Sequence, residues 1–239
     1  MVSELKRRGF GRARIGWDFN SVSCNPARLY AMQAALPEAV YIDLRGLTDS
    51  IRWVKTEGEI EALSAAARIA DETMACLAAQ LRPGRTTREM AALAASEFLL
   101  RGADTGETGP ILTASPTLRQ SEVAEGLIAL QDQQIAAMRP GTPACDVDRI
   151  LRDGVLKAGL RREYSNVTAY TLGLYSRTPR SSDFSRVFLP DQTWLLEENM
   201  VFHVYTTADG LGFSETVVVT PEGGRRLTQS PRQLSPPNT

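Results

Sequence analysis

Leu81-Arg82-Pro83-Gly84 and Met138-Arg139-Pro140-Gly141 are two versions of one phrase. Each closes an alanine- and leucine-rich segment, and each is followed by a threonine and a second helical segment. Gly84 and Gly141 lie 57 positions apart. A recurring helix–RPG–helix unit predicts a fold of two similar halves, in which what one half lacks can be read against the other.

Around the first copy, Thr56 and Glu59 form a capping-box pattern that predicts a helix start. Ile60, Leu63, Ala67, Ala70, Met74, Leu77 and Leu81 then recur at helical spacing until Pro83-Gly84 closes the helix. Thr86 and Glu89 repeat the cap, and Met90, Leu93, Ala94 and Phe98 make the next apolar stripe, ended by Gly102. Around the second copy, Ser121 opens a helix carried by Val123, Leu127, Leu130, Ile135 and Met138. Val147, Ile150, Leu151 and Val155 define its partner, ended by Gly159. These stripes read as core packing.

The two helix pairs lead into different sequence. Eighty residues come after Gly159, and Asn199–Thr207 and Gly212–Thr220 read as strands joined by the turn dipeptide Asp209-Gly210. Only residues 103–120 separate the first pair from Ser121, too few for two full strands and their turns. The expectation is that the sheet of the first half is largely missing. Upstream, Arg14–Trp17, Pro26–Leu36 and Ala39–Asp43 read as a small β–α–β unit, too short to bury much core alone. The tail turns at Gly223-Gly224 and ends in a Ser/Pro-rich stretch expected to be disordered.

The bulk numbers exclude several classes. Hydrophobic residues at 43% and charged residues at 23% are ordinary for a globular chain. A net charge of −1 gives no electrostatic case for nucleic acid or an anionic membrane. No apolar run reaches the ~20 residues of a membrane helix, and the charged N-terminus is not a secretory signal. Cys24, Cys76 and Cys145 are odd in number and scattered, so neither a disulfide framework nor a thiolate metal site is expected. Reduced thiols in the cytoplasm are the simplest account.

Two residues stand out chemically. Strand alternation puts Glu215 on the face of Phe213, Val217 and Val219, where a carboxylate must be paired, protonated or bound to a cation. It is an edge position or a structural salt bridge, or else a residue of functional origin, present or lost. His203, the only histidine, shares a face with Val201 and Tyr205. It is either a packing residue or, if it lies across from Glu215, half of an acid–base pair. The hairpin register decides between these. Asp146, Asp148, Glu197 and Glu198 read as solvated or capping acids.

The chain resembles the M24 family of "pita-bread" metallopeptidases, which includes methionine aminopeptidases, prolidases, aminopeptidase P and creatinase. The residues that carry the likeness are Arg52-Trp53-Val54-Lys55-Thr56-Glu57-Gly58-Glu59-Ile60, both RPG turns, Asn199-Met200-Val201-Phe202 and Gly212–Thr220. Within the family it looks most like the ectoine hydrolase branch, through Gly173-Leu174, Met200–His203 and the Ser214-Glu215 strand. The resemblance implies an α+β pita-bread fold with pseudo-symmetric αα-plus-sheet halves over residues 55–239. It also implies that residues 1–54 are the last part of a creatinase-type N-terminal domain.

Family enzymes hold two divalent metals with two aspartates, one histidine and two glutamates. By the resemblance, the aspartates belong to the hairpin expected to be missing from residues 103–120. The ligand histidine falls at Tyr170, a substrate-contacting histidine at about Arg177, and the first glutamate at Tyr205. Glu215 alone matches a ligand, so no metal or other cofactor is expected. The resemblance implies an ectoine-like or Xaa-Pro substrate, C–N bond hydrolysis and a homodimer. Any retained catalysis would rest on Glu215, His203 and Tyr205. The alternatives are a truncated, internally deleted relative with no retained activity, and a pita-bread pseudoenzyme that serves as a binding or dimerisation module.

Overall fold

The computed structural model describes residues 1–19, 25–104, 117–173 and 185–234. The chain divides into two compact units, Met1–Arg52 and Trp53–Thr239. In the first, Arg14–Trp17 (β1) and Val40–Asp43 (β2) pair in parallel, with Arg14 opposite Val40. The connection contains Pro26–Ala35 (α2; α1 is Val2–Arg7), entered through Asn25, whose side chain accepts from the Ala27 amide at 2.9 Å. Leu29 and Met32 of this helix and Leu36 just after it are buried. Leu47–Trp53 (α3) follows β2.

The second unit opens with Glu57–Gln80 (α4) and Thr87–Leu100 (α5). Both expected capping boxes form: Thr56 and Glu59 cap one helix, and Thr86 and Glu89 the other. The two helices pack through Leu77, Met90 and Ala94, with Leu81, Leu93 and Phe98 around them. The second pair is Leu118–Ala136 (α6) and Ala144–Lys157 (α7). Here α6 begins a turn earlier than the apolar stripe suggests. Thr117 and Gln120 form a third capping box, and this helix start, rather than Ser121, satisfies the first backbone N–H groups.

A four-stranded antiparallel sheet follows, in the order β3 (Ala169–Thr171), β4 (Val201–Ala208), β5 (Leu211–Thr220), β6 (Gly223–Arg226). Gly223 and Gly224, expected in a turn, are the start of β6, and the turn is Pro221-Glu222. The glycines have a packing reason. A Cβ at Gly223 would lie 2.8 Å from the Ala136 carbonyl oxygen, and one at Gly224 2.7 Å from that of Ile135. Only residues without side chains let β6 approach the end of α6 this closely.

The sheet is covered on both faces. Phe202, Val204, Val217 and Val219 pack on α6 and α7 through Ile135, Met138 and Val147. Val201 and Val218 point the other way and meet Ala67 of α4 and Leu227. Among the described residues, none between α5 and α6 forms a strand. Residues 105–116, most of the stretch compared with the second-half sheet, lie outside the described residues. So do Cys24, Leu174, Arg177 and the last five residues of the tail. Cys76 and Cys145 are free thiols. No described helix is long and apolar enough to cross a membrane.

Candidate functional site

The β4–β5 hairpin sets the geometry. Its turn, Asp209-Gly210, has positive φ at both residues (51° and 78°), the two-residue connection that matches strand twist. Ala208 therefore pairs with Leu211, Tyr205 with Ser214, Val204 with Glu215 and His203 with Thr216. On the far side of β4, Tyr170 of β3 pairs with His203. Directly opposed residues share a face, so Tyr170, His203, Tyr205, Ser214 and Thr216 point one way and Glu215 the other.

The structure thus joins two of the three expected site residues and separates the third. His203 stacks on Tyr170, with ring centroids 4.7 Å apart and planes 11° from parallel, and its other neighbour Tyr205 lies at 6.0 Å. All three rings are partly exposed. Burial pushes the His203 imidazole down from 6.5 to about 4, so the ring is neutral at neutral pH.

Glu215 does not face His203, and the acid–base pair does not form. Nor does it share the face of Tyr205. Its side chain is 3% exposed and is held by two arginines and a hydroxyl. Arg226 Nε lies 3.0 Å from one carboxylate oxygen, though its N–H is poorly aimed at it. Arg232 Nε lies 3.4 Å from the other oxygen, and Thr228 donates to the carboxylate. Burial raises the Glu215 carboxyl above its ordinary range, while the Thr228 hydroxyl and the arginines pull against that rise. A carboxylate on this face had to be paired, protonated or bound to a cation, and here it is paired with two arginines and a hydroxyl.

A buried network behind the sheet was not expected. Asp148 is fully buried on α7, where Arg152 grips it at 2.6 and 2.9 Å. Thr168 donates to Asp148 at 2.7 Å, and Gln134 of α6 donates to Thr168 at 2.9 Å. Arg152 also donates to the carbonyls of Tyr164 and Asn166. The strand that carries Tyr170 starts one residue after Thr168, so this network fixes where β3 begins. Asp148 read as a solvated acid because its helix-start position hid the clue: Arg152 stands four residues on, in the same buried stripe as Leu151 and Val155.

Comparison with known proteins places this architecture. The model of metallopeptidase family M24 matches residues 102–221. The chain is 22% identical to the uncharacterized peptidase YqhT of Bacillus subtilis over 272 residues, covering 94% of this chain and 75% of that protein. It is 23% identical to the Xaa-Pro dipeptidase of Pyrococcus furiosus, covering 77% of this chain and 65% of the relative. Among solved structures, the X-Pro aminopeptidase of Thermotoga maritima superposes with a TM-score of 0.82 at 18% identity, covering 98% of this chain and 78% of that one. The Xaa-Pro dipeptidase of Bacillus anthracis gives 0.79 at 19% identity, covering 98% and 76%. The fold is that of the pita-bread prolidases and X-Pro aminopeptidases over nearly the whole chain. This chain belongs to metallopeptidase family M24.

Proposed function

We propose that this chain is a homologue of the Xaa-Pro peptidases in which metal-dependent C–N bond hydrolysis is lost and the pita-bread scaffold serves binding. The observation that carries the reading is the pair of facing positions on the hairpin. They hold Tyr205 and Ser214, and the one carboxylate within β4 and β5, Glu215, is turned to the opposite face and paired with arginines. Divalent metals of this family's kind are held by several carboxylates and imidazoles. Among the described residues of β3, β4 and β5, the face around Tyr205 offers two phenols, three hydroxyls (Thr207, Ser214 and Thr216) and one imidazole, a donor set that does not suit a two-metal centre. Among the described residues no three His, Cys, Asp or Glu side chains gather closely enough to hold a metal ion.

What the face does offer is a row of three rings, Tyr170 stacked on His203 and Tyr205 tilted beside it, partly open and uncharged at His203, suited to contact with a small ligand rather than to water activation. An ectoine hydrolase-type reaction with Glu215 as base and His203 and Tyr205 as proton donors is not favoured, because the sheet lies between base and donors. Incubation with an Xaa-Pro dipeptide and with ectoine, each with and without Mn²⁺, tests the proposal. No turnover above buffer is expected in any of the four reactions. Turnover of either substrate overturns it, and its disappearance in Glu215→Gln would return Glu215 to the chemistry.

A further inference from the structure

After β6 the chain runs from Leu227 to Leu234 without regular structure, yet it is tied by hydrogen bonds or ion pairs to α4, α6 and β5. Leu227 is buried with Ala67, Val201 and Val218, and its amide donates to the Thr216 carbonyl at 2.8 Å. Thr228 accepts from the Thr216 amide at 3.2 Å and donates to Glu215. The amides of Gln229 and Ser230 donate to the two carboxylate oxygens of Asp71 on α4, at 2.7 and 2.8 Å. Arg232 reaches Gln131 at 3.0 Å, pairs with Asp132 of α6, and approaches Glu215. Leu234 packs against the cluster of Val123, Leu127 and Leu151.

The segment thus has an apolar plug at each end and charged pins between. β6 pairs only with Val217–Thr220, and beyond that pairing the segment binds the amide and carbonyl of Thr216 on β5. Only one backbone-to-backbone bond, from Leu227, ties the segment to β5, and the remaining ties depend on single side chains. A piece held this way opens at a lower free energy than the strands it covers.

We propose that residues 227–234 form a latch that opens as one unit while the sheet and helices stay folded, with Asp71, Glu215 and Arg232 as its pins. Opening withdraws Thr228 and Arg232 from Glu215 and frees the Thr216 amide and carbonyl. The proposal gives Glu215 a conformational role and does not depend on whether hydrolysis is lost.

Hydrogen exchange followed by mass spectrometry on the whole chain tests it, comparing wild type with Asp71→Ala and Arg232→Ala. Either substitution is expected to speed exchange throughout 227–234 about tenfold or more, the factor that about 1.4 kcal/mol of lost latch energy gives, with β4 and α6 unchanged. Exchange that quickens only beside the substituted pin, or nowhere, overturns the latch. Equal acceleration in β4 overturns it too, because the segment would then open only with the core. A thermal melt of each variant guards the comparison: if one variant is unfolded, the other carries the test, and global unfolding of both contradicts a separable latch.

Discussion

Replacing Asp148 with alanine is expected to lower the unfolding free energy by about 3–5 kcal/mol, the range for stripping one partner from a buried ion pair. The carboxylate is fully buried and accepts from Arg152 Nε and Nη2 and from the Thr168 hydroxyl. Without it the Arg152 guanidinium stays buried among the carbonyls of Tyr164 and Asn166, with its charge uncompensated. Urea unfolding followed by circular dichroism measures the loss. Asp148→Leu combined with Arg152→Met should cost less than the two single losses together, because no charge is then left unpaired. A loss below about 1 kcal/mol for Asp148→Ala would mean that the network does not hold α7 to the start of β3.

The second large effect is on stability against pH. The His203 imidazole is pushed down to about 4 in the folded chain, against 6.5 when solvated. Below 6.5 the unfolded chain takes up a proton that the folded chain refuses, so the linkage slope favours unfolding as pH falls. The stabilisation is whole above about pH 6.5, is lost progressively between 6.5 and 4, and levels off below 4. At about 1.4 kcal/mol per unit the loss approaches ~3 kcal/mol, an upper figure because the ring keeps some exposure. Carboxylates titrate in the same range, so the readout is the difference between wild type and His203→Gln. The variant loses the stack on Tyr170 at every pH, a constant offset, and should show a flatter slope between pH 6.5 and 4. Parallel curves would contradict the burial of His203 as the cause.

Much of the helical layer was legible because its signals are local. Thr56/Glu59 and Thr86/Glu89 sit three residues apart, and the caps form as those spacings require. The faces of Glu215 and His203 were legible in the same way, since alternation along one strand needs no partner. Which residues those faces meet was not. Yet the hairpin register was within reach: a two-residue Asp209-Gly210 turn makes Ala208 oppose Leu211 and so sets His203 against Thr216.

The partners of Glu215 were out of reach for a different reason. Arg226 and Arg232 come from segments later in the chain, and only the folded path of β6 and the latch brings them to the carboxylate. The start of α6 was missed because its cap, Thr117 with Gln120, precedes the first strongly apolar residues. The repeated RPG turn gave the two helix pairs, and the sheet beside the second pair decides what the hairpin can carry.

Isothermal titration of the chain with Mn²⁺ at neutral pH tests the central claim most directly. A face with Tyr205 and Ser214 at its opposed positions, and Glu215 turned away, predicts no saturable tight binding. Two tight Mn²⁺ sites per chain would contradict it.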